Sequence, residues 1–272
     1  MAAPKLVLPD LRQYDIITVN TSSGKDSQCA MDVVMKAADA AQVKDRVVAV
    51  NCDLGAAEWR GSAELALRQA RHYGLRTYTV RREHDLLYQV EHERQKWPAP
   101  GIARYCTSDH KTHQVWALHT HLANALRPRL GGRRQVRILD VLGVRAEESR
   151  PRALANPFDT ESRASSGNKL VHRLYPIHNY RVGDVWDTIK ASGVPHHPAY
   201  DLGMPRLSCV FCIFASKDAL VVAGLHNPEL LEEYVRIEAT IGHRFKNDLS
   251  IADVQRLIAT GYVPKCVASW CM

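Results

Sequence analysis

Short apolar runs alternate with helical stretches along this chain, and that alternation constrains the fold more than any other feature. Residues 16–20 are a β-branched run ending in a small polar loop. Residues 26–41 are good helix formers, with Met31, Val34, Met35 and Ala38 on one face. Residues 47–51 are a second apolar run, 64–73 read as a helix, 76–80 as a third strand, 111–126 as a helix and 138–144 as another buried strand. Strands that are apolar on both faces and alternate with helices belong to a parallel sheet covered on each side. The pattern predicts an α/β fold: a doubly wound parallel sheet with a small C-terminal helical region. A helix is expected over 182–192, and two more over 228–241 and 250–261, with Asn227-Pro228 and Gly261 as start and stop signals. The expected division is a core over 1–195, then a cysteine-containing segment and C-terminal helices over 196–272.

Three stretches break the alternation. Residues 127–137 contain Pro128, two glycines and five arginines (Arg127, Arg129, Arg133, Arg134, Arg137) and read as a basic surface loop, solvated or tracking a nucleic-acid backbone. Residues 151–169 are polar and are expected to be a mobile loop over a site. Residues 195–214 are irregular and rich in cysteine and proline.

The phosphate chemistry is concentrated in Asn20-Thr21-Ser22-Ser23-Gly24-Lys25-Asp26-Ser27, between the first strand and the first helix. Ligands of an open parallel sheet bind at the carboxyl ends of its strands. A helix N-terminus offers unpaired N–H groups and partial positive charge to phosphate. Ser22, Ser23 and Ser27 add hydroxyl donors, Gly24 allows close backbone approach, and Lys25 neutralises charge. Asp26 either holds Mg²⁺ through water or caps the helix. The Gly-x-x-x-x-Gly-Lys spacing of a Walker A loop is absent. The segment instead resembles the Ser-Gly-Gly-Lys-Asp-Ser loop of the PP-loop ATP pyrophosphatases, with Ser23 in place of the first glycine. That resemblance implies an adenine nucleotide alpha hydrolase-like fold and cleavage of ATP between its α and β phosphates. At the end of the second strand, Asp53 and Glu58 either meet the ribose or cap the following helix.

Gly143-Val144-Arg145-Ala146-Glu147-Glu148-Ser149-Arg150 also follows a strand. It resembles the Gly-Ile-Arg-x-x-Glu-Ser segment of the phosphoadenosine-phosphosulfate (PAPS) reductase branch of that superfamily. Arg145 and Arg150 suit bidentate contact with phosphate oxygens, and Gly143 belongs to the same nucleotide site. Tyr175-Pro176-Ile177, Asp184-Val185-Trp186 and His197-Pro198-Ala199-Tyr200-Asp201-Leu202-Gly203 follow in the order of that branch, then Arg206, Cys209 and Cys212. The chain lacks the Glu-Cys-Gly-x-His segment of assimilatory reductases. Arg104-Tyr105-Cys106-Thr107, with Lys111 following, and the later Cys-x-x-Cys resemble the sulfur-transfer ATP pyrophosphatases of DNA phosphorothioation systems (Dnd and Ssp type). Lys111 either pairs with a phosphate or is simply solvated.

Seven cysteines, an odd number, argue against a secreted disulfide scaffold. Cys29 and Cys52 lie in apolar segments and read as small core residues. Cys106, Cys209 and Cys212 form the expected chemical set, with Cys266 or Cys271 as a fourth ligand if there is one. Three thiolates could hold a 4Fe-4S cluster with one open iron, or zinc completed by His110 or His113, or could act metal-free as a persulfide and disulfide relay.

The net charge of +7 favours a polyanionic partner or a phosphorylated small substrate, or reflects solubility alone. No apolar run approaches the ~20 residues that span a bilayer, and the first eleven residues lack a signal-peptide core. The expectation is a cytoplasmic enzyme with no membrane partner. Together the motifs imply adenylation of a DNA backbone phosphate by ATP with Mg²⁺ for sulfur insertion, catalysed by Lys25, Asp26, Arg145, Cys106, Cys209 and Cys212. A cysteine desulfurase would donate the sulfur, and other modification-system subunits would be partners. The alternatives are reduction of a sulfonucleotide, thiolation of tRNA or a small molecule, and a non-catalytic nucleotide-binding subunit.

Overall fold

The computed structural model describes residues 6–132 and 134–265. The chain separates into two compact units. Of the described residues, the first comprises 6–52, Ala63–Val80 and 114–196; the second comprises Asp53–Ser62, Arg81–His113 and 197–265.

The first unit is built on a six-stranded sheet. Its strands are β1 (Ile16–Thr21), β2 (Val47–Cys52), β3 (Arg76–Val80), β4 (Val136–Val141), β5 (Phe158–Thr160) and β6 (Lys169–Leu174). They run in the order β3-β2-β1-β4-β6-β5, all parallel except β5 on β6. The doubly wound α/β fold is therefore present. Helices α1 (Lys25–Ala40), α2 (Ser62–His72), α3 (His113–Leu126) and α4 (Val182–Ser192) accompany it. Burial follows from composition: Ile17 and Val19 of β1 and Leu139 and Val141 of β4 are inaccessible, as are Met31 and Val34 of α1, and all join one core. A second core on Ile16, Val136, Ile138 and Val171 includes Ala123 of α3.

The expectation of a mobile loop over 151–169 is corrected. Residues Arg150–Ala153 form one helical turn, and β5 pairs antiparallel with β6 through Phe158↔Leu174 and Thr160↔His172. Lys169, His172 and Arg173 interrupt the apolar pattern of β6, which hid the strand. The basic loop is also partly tied down. Arg134 makes two 2.7 Å bonds to the carboxylate of Asp15, and the Arg137 amide donates to the same carboxylate at 2.8 Å.

Among its described residues the second unit includes the helices α5 (Lys217–His226), α6 (Pro228–Ile241) and α7 (Ile251–Ala259), with shorter helical turns and irregular segments. The sequence pattern missed α5 because residues 219–224 are buried without interruption, so no polar stripe marks a period. Ser216 starts it, accepting from the Ala219 amide at 3.2 Å. The unit's core is aromatic. Trp97 stacks on Tyr234 with centroids 5.0 Å apart, and Phe211 packs on Tyr234 at 4.9 Å.

Candidate functional site

The strand order reverses between β1 and β4, which lie side by side in the register Ile16↔Ile138 to Val19↔Val141. Such a reversal opens a crevice at the carboxyl ends of the strands. The segments leaving β1 and β4 are residues 22–27 and 143–150, so the topology brings these two sequence motifs to one edge.

The loop is fixed by its own serines. Ser27 Oγ accepts from the Ser22 amide at 3.2 Å and donates to the Gly24 carbonyl at 2.9 Å. Ser23 stands at φ +56°, the left-handed region that favours glycine. Its hydroxyl donates to the Ser22 carbonyl at 2.6 Å, a local bond that offsets part of the strain. Gly24 precedes α1 as its N-cap, so the N-terminal end of that helix, with its partial positive charge, faces the loop.

Lys25 is buried, at 3% exposure, and its Nζ lies 3.2 Å from Asp26 Oδ2. Asp26 Oδ1 accepts from Arg145 Nε at 2.6 Å, across 119 residues of sequence. Arg145 also bonds Glu147 through Nη1, and its pKa is raised: burial works against the charge, but Asp26 and then Glu147 outweigh it. Glu147 in turn accepts from the Val182 amide at 2.9 Å. Gly143 packs against the start of α1 so closely that a Cβ there would lie 2.4 Å from the Asp26 carbonyl oxygen. Arg150 is exposed at the start of its helical turn.

A buried polar cluster within the sheet was not singled out from sequence. Asp140 Oδ1 accepts from Asn20 Nδ2 at 2.6 Å and from Thr18 Oγ1 at 3.1 Å, and Thr18 also bonds His119 Nε2 at 3.0 Å. The available signal was one acid inside the apolar run Ile138-Leu139-Asp140-Val141. Burial holds the His119 pKa below its ordinary value.

In the second unit, Asp53 accepts from the Gly55 amide at 2.8 Å, which makes it a turn-forming side chain. Glu58 is pushed up in pKa by burial, against the opposing charge of Lys111. Cys106 lies on the helical turn Tyr105–Thr107. Cys106, Cys209 and Cys212 line one cavity of about 100 Å³, with Lys111 and Arg104 on its wall. Burial pushes the Cys209 thiol up to about 12 and raises Cys106 as well, while Lys111 opposes both shifts.

The three expected thiols therefore share a cavity. Among the described residues, however, no three His, Cys, Asp or Glu side chains stand in a group that could hold a metal ion. His110 is fully buried, with Nε2 2.8 Å from Gln89 Oε1. His113 is half-exposed on the following turn. Cys266 and Cys271 lie outside the described residues. Cys29 is fully buried, as expected of a core residue, and Cys52 is partly buried against the core around Val50.

Residues 16–215 match the family model described as the phosphoadenosine phosphosulfate reductase domain. A curated relative, an uncharacterized 37.8 kDa protein in the gpa 5' region of Escherichia phage 186, is 31% identical over 105 residues. That alignment covers 38% of this chain and only 30% of the phage protein's length. Among solved structures, the PAPS reductase of Candida auris in its phosphate complex has a TM-score of 0.41 at 16% identity, covering 74% of this chain and 86% of that one. The U34-tRNA thiolase NcsA of Methanococcus maripaludis, with its 4Fe-4S cluster, has a TM-score of 0.42 at 11% identity, covering 93% and 74%. No described helix is long and apolar enough to cross a membrane.

Proposed function

Because the chain belongs to the phosphoadenosine phosphosulfate reductase domain family, we propose that it binds ATP on residues 22–27 and splits it between the α and β phosphates to activate a substrate for sulfur transfer. The observation that carries this reading is the joined pair of motifs in the first unit, with Asp26 held by Arg145 at 2.6 Å and the Gly143 backbone against α1.

Mg²⁺ enters with ATP, and Asp26 is the carboxylate suited to meet it. A substrate oxygen attacks the α-phosphorus. The bond from that phosphorus to the α–β bridging oxygen breaks, and pyrophosphate leaves. Lys25, Arg145 and the first amides of α1 stabilise the charge that develops. The product carries AMP on the oxygen that attacked, which makes that oxygen part of a good leaving group.

The sulfur step is assigned to Cys106, Cys209 and Cys212, and is written through thiols alone because the described donors do not form a metal-holding group. A cysteine persulfide attacks the activated centre and AMP departs. A second cysteine then attacks the inner sulfur of the persulfide, releasing the thiolated product and leaving a protein disulfide. A cellular dithiol reduces that disulfide, and a cysteine desulfurase supplies the persulfide sulfur. The acceptor we propose is a phosphate oxygen of the DNA backbone, which accords with the net charge of +7.

The test is incubation of the protein with ATP, DNA, a desulfurase and cysteine, followed by nuclease digestion and mass spectrometry. Phosphorothioate dinucleotides that vanish with Cys106→Ser support the reading; sulfur found only in RNA or in small molecules would move the acceptor. Iron, zinc and sulfide analysis of anaerobically purified protein tests the thiol-only step, since stoichiometric 4Fe-4S content would replace it. The family match also favours a second reading, reduction of PAPS or adenosine 5′-phosphosulfate. Sulfite formation with thioredoxin, and no pyrophosphate from ATP, would select it.

A further inference from the structure

The second unit contains a larger cavity, about 580 Å³, that the thiol chemistry does not use. Arg94, Lys96, Arg244 and Lys246 line it, with His243, against a single lining carboxylate, Asp248. The cations keep donors to spare. Arg94 spends one on Asp109 at 3.2 Å, Arg244 one on Asp253 at 3.0 Å, and Lys246 one on the Ala215 carbonyl at 2.9 Å. A guanidinium has five N–H donors and an ammonium three. Two lining residues also hold buried nitrogens without a partner, Trp97 Nε1 and His243 Nδ1. A buried polar atom in that condition favours a ligand that can satisfy it.

This cavity and the thiol cavity share a wall. Trp97, Pro98, Ile213 and Phe245 line both. Whatever occupies the basic cavity therefore lies one layer of side chains from Cys106, Cys209 and Cys212.

We propose that the basic cavity binds a single-stranded stretch of polynucleotide through its phosphodiesters, holding the sulfur acceptor beside the thiols. This assignment rests on the reading above, in which the sulfur acceptor is a nucleic-acid backbone. Charge selects a polyanion. Volume selects the form: about 580 Å³ is the size of a site for one small molecule, so a strand or an extruded nucleotide enters, whereas a duplex receives protein side chains in its grooves. The segment 95–103 forms part of the wall and is shaped for the role. Gln95 takes φ +51°, Ala99 and Ala103 bridge in antiparallel fashion, and the hydroxyl of buried Tyr105 donates to the Lys96 carbonyl.

The experiment is fluorescence anisotropy on the full chain. The probes are a labelled 12-residue oligodeoxynucleotide, the same sequence as RNA, its duplex, and a poly-glutamate peptide of equal charge. The single strand should bind more tightly than the duplex, and the DNA and RNA arms identify which strand is preferred. The double variant Arg244→Ala, Lys246→Ala should weaken strand binding roughly tenfold and lower the log–log salt slope by about 1.4, two contacts at about 0.7 each. Because Arg244 pairs with Asp253 at the start of α7, Lys96→Glu on the exposed segment gives an independent reading and should also weaken binding and lower the slope. Unchanged affinity and slope in both variants, or equal binding of poly-glutamate, would overturn the proposal. Failure of the parent reading looks different: the strand binds through these cations, yet is never thiolated. Thiolation of DNA by variants with unaltered strand affinity is the reverse case, and it sinks only the cavity assignment.

Discussion

Gly143→Ala probes the contact on which the proposed nucleotide site depends. The added Cβ would stand 2.4 Å from the Asp26 carbonyl oxygen, 2.5 Å from the Asp26 carbonyl carbon and 2.6 Å from the Ser27 nitrogen. Non-bonded heavy atoms settle at roughly 3.5 Å, so the first turn of α1 or the segment after β4 must retreat by roughly 1 Å. All three atoms are backbone, and no rotamer change relieves them. Overpacking of this kind costs about 1–3 kcal/mol. For a unit of this size that is a fall in Tm of roughly 2–12 °C. The same displacement moves Lys25, Asp26 and the first α1 amides relative to Arg145, and a misplacement of about 1 Å costs on the order of 100-fold in rate. The assay is kcat/KM for pyrophosphate release from ATP, beside thermal unfolding followed by circular dichroism. Gly183→Ala is the matched control: it lies in α4 with no heavy atom within 4 Å of its built Cβ, and alanine there should be neutral or gain up to about 1 kcal/mol. Wild-type turnover and Tm in Gly143→Ala would refute the close approach as a constraint.

The remaining predictions concern buried titrating groups. Burial pushes the Cys29 thiol from 9.0 up to about 12. Above pH 9 the unfolded chain ionises this thiol while the folded chain does not, so stability falls as pH rises from 9 toward 12, by up to about 1.4 kcal/mol per pH unit. In urea titrations the stability advantage of wild type over Cys29→Ala should shrink between pH 8 and 10.5; parallel curves would contradict the assignment. Burial lowers the His119 pKa below 6.5. The unfolded chain then takes up a proton that the folded chain refuses, and stability is lost as pH falls below 6.5. His119→Gln, which can still bond Thr18, should flatten that acid limb; an identical acid dependence would show that His119 does not cause it.

The sheet was legible where its strands are apolar on both faces, as in β1, β2 and β4. It was illegible at β6, whose Lys169 and Arg173 read as surface, and at α5, whose central residues 219–224 are all buried and show no stripe. The loop at residues 22–27 was readable because strand, small polar turn and helix follow one another locally. The ion pair of Asp26 with Arg145 was not, because it depends on β1 and β4 being neighbours, which is a property of topology. Cys106, Cys209 and Cys212 were singled out by their order along the chain; they line one cavity, but the described donors form no metal-holding group. The Trp97 wall that this cavity shares with the basic cavity had no sequence signal, since Trp97 looks like any buried aromatic.

The most direct test of the central claim is product analysis of ATP turnover. Purified protein with MgATP and single-stranded DNA is followed by phosphorus NMR or anion-exchange chromatography, wild type beside Lys25→Ala. Wild type should give AMP and pyrophosphate in equal amounts, the AMP appearing free or joined to the acceptor, and the variant should give neither. ADP with inorganic phosphate, or pyrophosphate release undiminished in Lys25→Ala, would contradict the claim.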